Sequence, residues 1–450
     1  MPTRRKTHPE EHPDLFCTEV ESVSVDTRKA RKPALVPAHP APVTQPETPT
    51  ADIHTELRAF DEFGAATIVS SLALPGCPEV PVYTNEYWTS RQRAAHSLHE
   101  ISYRACFKPQ LPRFFISRLT RPGDVVYDPF MGRGTTLLEA ALMSRAPWGC
   151  DINPLSRILL EPRLYPPDSM KITDRIAALP LELNVPLRED LLVFYHPKVL
   201  QGICSLREYF SSAGRDATDA WLRMVATNRL TGHSSGYFSV YTLPPNQAVT
   251  VAHQTRINAS RNQTPDERNM RKILTKKSAS LLSDLADYEK TALAAISGRA
   301  NIVTGSCDCT PSLPDNSVDL VVTSPPFLNE VNYQMDNWLR CWFNMINADD
   351  IPVWKPRKPE IWQEHMTGVM RELRRILKPG GHIAFEVGEV QKGKVKLEDH
   401  VIPAGVEAGL DPLLVMINAQ EFTKTAHCWG VGNQANGTNT NRIILLRKPF

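Results

Sequence analysis

Two short segments of this 450-residue chain hold side chains at a spacing that can do chemistry. The first is Asp128-Pro-Phe130-Met-Gly132-Arg-Gly134-Thr135-Thr136. It follows an apolar β-branched run and opens a helical one. Gly132 and Gly134 let the backbone turn sharply and approach a ligand closely, and the helix amino terminus offers N–H groups to an anionic part such as a carboxylate. Thr135 is the expected N-cap. The segment lacks the third glycine of a dinucleotide fingerprint and the Gly-Lys-Ser/Thr of a phosphate loop, which disfavours NAD and ATP. Asp151 ends the following strand, where a carboxylate can accept both hydroxyls of a ribose; a simple turn cap is its alternative reading.

The second segment is Thr323-Ser324-Pro325-Pro326-Phe327. Two consecutive prolines hold the chain extended and remove its N–H donors. Ser324 Oγ and the Pro325 carbonyl then form a pair of acceptors suited to one donor, such as an exocyclic amino group. Phe327 offers a flat face for a planar ring. An ordinary strand exit is the bland alternative.

The elements that must position these groups follow an α/β pattern. Strands are expected at 125–128, 148–151, 301–304, 318–323, 382–387, 413–417 and 442–446, with helices at 135–145 and 361–377, the latter closed by Lys378-Pro-Gly-Gly381. That makes a sheet of about seven strands. Of 38 prolines, nine fall in residues 1–50, which read as a disordered tail. Residues 51–154 form the amino-terminal segment and cofactor half, and 301–450 the catalytic half. Residues 155–300 are too long for a crossover and are expected to be a unit of their own.

Together the two motifs resemble the S-adenosylmethionine-dependent amino-methyltransferases of DNA. Asp128-Pro-Phe-x-Gly-x-Gly-Thr-Thr looks like their cofactor loop. Thr323-Ser-Pro-Pro-Phe looks like their catalytic loop, in the serine form characteristic of N4-cytosine enzymes rather than the aspartate form of N6-adenine enzymes. Phe107-Lys108-Pro-Gln-Leu-Pro112, Val331–Arg340, Phe385-Glu-Val-Gly-Glu389 and Gly437–Arg442 extend the likeness to nearly half the chain. The resemblance implies a Rossmann-like methyltransferase sheet with an inserted target-recognition region at 155–300. It implies S-adenosylmethionine as cofactor, held by Phe107, Lys108, Asp128, Phe130, Gly132, Gly134, Thr135, Thr136 and Asp151. The family often has Gly-Asp after its third strand; here Gly305-Ser-Cys-Asp308 assigns Asp308 to the adenine from a shifted register. Ser324, Pro325, Pro326 and Phe327 would be catalytic, acting on N4 of a flipped-out cytosine in double-stranded DNA. C5-methylation needs a Pro-Cys nucleophile, and the chain has no such pair. Asp336 and Trp338 are further candidates for the base pocket, with a core role for Trp338 as the alternative.

The net charge of +2 excludes a wholly cationic nucleic-acid protein, yet residues 253–277 hold seven Lys/Arg against Asp266 and Glu267. Arg256, Arg261, Arg268, Arg271 and Lys272 are therefore assigned to DNA, a solvated helix being the alternative. The loop Asn228–Gly236 could approach DNA or simply turn. Nine scattered cysteines with one close pair, Cys307 and Cys309, suit free thiols in a cytoplasmic protein and give no metal site. No apolar run is long enough to cross a membrane. A restriction-modification role follows from the resemblance, with any cognate endonuclease acting independently; oligomeric state is not legible. N6-adenine methylation, methylation of structured RNA and a catalytically idle DNA-binding module remain alternatives.

Overall fold

The computed structural model describes residues 52–88, 95–104, 106–212, 216–242, 248–326, 328, 333–390, 395–419 and 440–450. The 1–50 tail and Phe327 lie outside the described residues. The strands in chain order are β1 (Ile68–Leu72), β2 (Val80–Asn85), β3 (Val125–Asp128), β4 (Ala146–Asp151), β5 (Asn301–Thr304), β6 (Val318–Thr323), β7 (Leu377–Val387), β8 (Glu389–Val390), β9 (Val395–Lys396), β10 (Asp411–Ala419) and β11 (Thr440–Arg447). β8 and β9 pair with each other. The other nine form one sheet, ordered β1-β2-β10-β11-β7-β6-β3-β4-β5.

All seven expected strands are present, and the sheet has nine rather than seven because β1 and β2 extend it beyond β10. Pro81 interrupts the β2 pattern and faces β1, outside the Val82–Asn85 stretch that pairs with β10, where a missing N–H is tolerated. Pairs β5–β4, β4–β3, β3–β6 and β6–β7 are parallel, while β11 runs antiparallel between β7 and β10. The central strands are buried on both faces, hence their β-branched runs. Val125, Tyr127, Val321, Ile383 and Phe385 enter one apolar cluster. Their alternating neighbours Val126, Leu320, Val322 and Ala384 enter the other. That alternation is the two-residue strand period.

The helix closing onto β7 runs Pro359–Ile376, and the Lys378–Gly381 stretch expected to stop it instead begins β7, with Gly380 at φ +77°. Residues 155–300 are helical, and among the described residues they contain no strand. Their side chains Leu159, Trp221, Leu274 and Leu293 share one apolar cluster with Val125 and Tyr127. The expectation of a unit with its own core is thereby corrected: the inserted helices complete the core of one face of the sheet. Among the described residues no helix is long and apolar enough to cross a membrane.

Candidate active site at the carboxyl edge of the sheet

Parallel pairing brings the ends of β3, β4, β5, β6 and β7 side by side. Tyr127 is in register with Val321, and Thr323 with Phe385. One residue beyond the second pair, Ser324 therefore stands beside Glu386. A pocket with roughly 1060 Å³ of empty space, counting its open mouth, lies over this edge. Its wall combines Asp128, Phe130, Gly132, Arg133, Thr135 and Asp151 with Ser324 and Pro326. Both sequence motifs thus line a single cavity.

The cofactor loop is built by its glycines and two carboxylates. Gly132 has φ +50° and Gly134 φ +76°, in the left-handed region. A Cβ on Gly134 would meet Leu160 Cδ1 at 2.6 Å, so close packing as well as conformation requires glycine. Gly134, not Thr135, is the N-cap of helix Thr135–Leu142, and no side chain caps that terminus. Thr135 faces the pocket and accepts from Arg133 Nε at 3.1 Å. Thr136 is fully buried and donates to the Val322 carbonyl at 3.0 Å, so it ties the helix to β6 instead of lining the cavity. Asp151 accepts from Gly132 N–H through Oδ2 and from Asn153 N–H through Oδ1, both at 2.8 Å. Burial pushes its carboxyl up, opposed by those two donors. A carboxylate keeps further lone pairs for hydroxyl donors.

Asp128 is 1% exposed and accepts from Thr323 Oγ1 at 2.6 Å and Phe130 N–H at 3.0 Å, joining the cofactor strand to the catalytic one. Burial pushes its carboxyl up to about 7, against hydrogen bonds from Thr323, Phe130 and Thr136, with Asp151 adding to the rise. A raised folded-state value means proton uptake on folding. The cost is absent below the ordinary value of 3.8 and grows as pH rises from there to about 7. Asp128→Asn is expected to remove on the order of 4 kcal/mol of that pH-dependent loss. Urea unfolding of both proteins at about pH 4 and pH 7 checks this; an unchanged pH dependence would contradict it.

Phe107 lines the pocket, whereas Lys108 is exposed and outside its wall. Asp308 is also exposed and accepts from Ser306 Oγ at 2.5 Å. Gly305, Ser306 and Cys307 line the cavity, with Asp308 just outside its wall. Pro325 is buried, and the Pro326 carbonyl accepts from Trp362 Nε1 at 2.9 Å, which fixes the loop. Asp336 is bound by Arg104, with Nη1 at 3.0 and 3.2 Å from its two oxygens. Trp338 packs against the main core and donates to the Val249 carbonyl at 3.3 Å. Neither lines the cavity.

Several site residues escaped the sequence reading. Glu386, 6% exposed, accepts from the Ser324 hydroxyl and from Asn441 Nδ2, the latter at 2.9 Å. Burial pushes its carboxyl up, and both hydrogen bonds pull it down. The signal was present as the lone acid in the His382–Val387 run. Tyr103 and Trp354 also line the pocket.

The five basic residues divide. Arg256, Arg261 and Lys272 are exposed, Arg261 lying over the Tyr241 ring at 3.8 Å. Arg268 pairs with Asp266 at 2.8 Å. Arg271 donates to the carbonyls of Ile176, Ala177 and Leu179, closing the end of helix Ser169–Ala178, so its assignment to DNA is corrected to a structural one. Asn228 and Arg229 end helix Ala217–Arg229, and His233–Gly236 form the exposed tip of the loop that follows it.

Residues 63–156 match a family model described as DNA methylase, of the N6/N4 type. The Type II methyltransferase M.MjaII of Methanocaldococcus jannaschii is 37% identical over 82 residues, covering 18% of this chain and 15% of that one. M.MvaI of Kocuria varians is 32% identical over 111 residues, covering 24% and 23%. M.BsoBI of Geobacillus stearothermophilus is 23% identical over 287 residues, covering 55% and 52%. The chain thus spans about half or less of the length of these relatives. Among solved structures, TrmN from Thermus thermophilus aligns over 78% of this chain and 51% of its own at 11% identity, with a TM-score of 0.30. Residues 63–156, which carry the glycine turn, are thus similar to a DNA methylase family of the N6/N4 type. The parallel pairing from β5 through β7 makes the sheet Rossmann-like. The residues present fit S-adenosylmethionine: a mostly apolar cavity, a glycine turn that admits close approach, an uncapped helix terminus and one acceptor carboxylate.

Proposed function

We propose that this chain is a site-specific DNA methyltransferase that methylates N4 of a flipped-out cytosine in duplex DNA, as part of a restriction-modification system in the cytoplasm. The observation that carries the reading is the single cavity lined by both Asp151 and Ser324, with Glu386 hydrogen-bonded behind the serine. The cofactor, when bound, supplies an electrophilic methyl group on a sulfonium. Phe107, Phe130, Gly132, Thr135 and Asp151 would hold it, with Gly134 shaping the turn.

The protein's own task is to present a weak nucleophile. A cytosine amino group delocalises its lone pair into the ring. Because the Ser324 hydroxyl donates to Glu386, its Oγ lone pairs remain free to accept from N4–H. With the Pro325 carbonyl as second acceptor, N4 is drawn toward tetrahedral geometry and its lone pair turned toward the methyl carbon. Once N4 carried the methyl group, its surplus proton would leave to water or through Ser324 to Glu386. Such positioning supplies several kcal/mol of barrier reduction. Labelled methyl transfer from S-adenosylmethionine to duplex DNA, with structured RNA as the competing substrate, tests the reading; transfer to RNA alone would refute it.

The inserted helices are read as the target-recognition region, meeting phosphates through Arg256, Arg261 and Lys272. Replacing each with Gln is expected to lower the slope of log affinity against log salt by about 0.9 for every phosphate left without its cation. Arg271→Gln should instead lower thermal stability with little change in slope. A triple Arg256/Arg261/Lys272 variant with an unchanged slope would remove this surface from the interface.

A further inference from the structure

Three cations that the catalytic account does not use, Arg229, Lys277 and Arg340, lie largely withdrawn from water. Arg229 and Arg340 are 9% and 5% exposed, and the Lys277 side chain 11%. Arg229 stands between the other two and repels each of them. The row ends at Arg340, which meets Tyr103 of the cavity wall. Segment 100–104 ties the three elements together. Lys277 Nζ lies 3.4 Å from Glu100, and the Ser102 carbonyl accepts from Asn228 Nδ2 at 3.3 Å. Arg104 holds Asp336, one turn before Arg340 on helix Tyr333–Phe343.

The acids do not balance this row. Asp336 is engaged by Arg104, and Glu100 is 57% exposed and also accepts from Ser280 Oγ at 3.0 Å. Three buried cations thus share one largely solvated carboxylate, an excess of two positive charges. Arg340 donates to Asn337 Oδ1 at 3.0 Å, and Arg229 lies over the Tyr237 ring at 4.0 Å, but neither contact supplies charge. Burial pushes both guanidinium groups and the Lys277 ammonium down. Uncompensated buried charge is costly, and a recruited anion offsets that cost. A row of charge suits a polyanion, and the guanidinium fork matches phosphate oxygens. One end of the row adjoins the cavity, so a strand lying along it can place a base over that cavity.

We infer that Arg229, Lys277 and Arg340 form a phosphate cradle that seats the backbone of the DNA strand whose base enters the cavity. This rests on the DNA methyltransferase reading. The test is binding of a fluorescent mixed-sequence duplex to the full chain across a range of salt, read by anisotropy. Arg340→Met and Lys277→Met are each expected to weaken binding about tenfold and to lower the slope of log affinity against log salt by about 0.9, whereas Arg340→Lys keeps the slope. Thermal unfolding of the free proteins separates binding from a structural role. Removing an uncompensated buried cation should leave the melting temperature unchanged or raised. Should a methionine protein fail to fold, Arg340→Gln, a neutral donor, is expected to give the same slope change. Unchanged slopes in the neutral variants overturn the inference. So does inorganic phosphate that raises the parent's melting temperature while the duplex slopes stay equal, since the row would then hold a small anion only. A parent that binds no duplex overturns the DNA methyltransferase reading itself, and the cradle with it.

Discussion

Ser324→Ala is expected to lower the rate of methyl transfer by about a hundredfold or more while leaving cofactor affinity within about twofold. In the proposed mechanism the serine supplies an acceptor that matters only as the amino nitrogen becomes tetrahedral, so its removal falls on kcat. Ser324 lines the cavity that the cofactor loop also lines, but it is absent from the bonds that hold that loop: Gly132 N–H goes to Asp151, and Phe130 N–H to Asp128. Glu386→Gln gives an informative contrast. The amide oxygen can still accept from Ser324 or from Asn441, so much of the geometry persists, but the negative charge behind the hydroxyl is gone. An intermediate loss is expected, largest at high pH where the parent's Glu386 is ionised and smallest at low pH where the parent's carboxyl is itself protonated. Single-turnover rates at saturating cofactor separate these cases, and full activity in Ser324→Ala would refute the acceptor role.

The second large effect belongs to Asp151. Asp151→Asn is expected to weaken S-adenosylmethionine about ten- to a hundredfold, because charge-assisted bonds are replaced by neutral ones and one loop N–H loses its acceptor. Oδ2 holds Gly132 N–H and Oδ1 holds Asn153 N–H. An asparagine can satisfy one of them with its oxygen and must turn its NH₂ toward the other. The damage is therefore both to the turn and to the ribose acceptor. Calorimetric titration measures it, with Ser324→Ala as the control whose affinity should stay near the parent's. Equal affinity for Asp151→Asn and the parent would contradict the role.

The fold was legible where local pattern and tertiary role coincide. β3, β6 and β7 are buried on both faces, so their apolar runs announce them, and the glycines of 132 and 134 mark a turn that the chain does make. β2 was not legible because Pro81 breaks its pattern and only the pairing partner decides whether that matters. Glu386 falls within the family resemblance but carries no role in it, since its partner is set by parallel register with a strand 60 residues away, not by neighbours in sequence. Thr136 and Arg271 make bonds that their residue types do not announce. Their residue types suit a ligand, but one points into the sheet and the other onto helix carbonyls. A threonine beside a cofactor loop and an arginine in a basic run read the same whether they face solvent or the core.

Under the proposed function the methyl group goes to a cytosine amino nitrogen in DNA. The product can be identified by incubating the purified full chain with duplex DNA and S-adenosylmethionine, digesting to nucleosides and applying mass spectrometry. N4-methylcytosine is the expected product, absent with Ser324→Ala. N6-methyladenine, or no modified nucleoside from a protein that binds the cofactor, would contradict it.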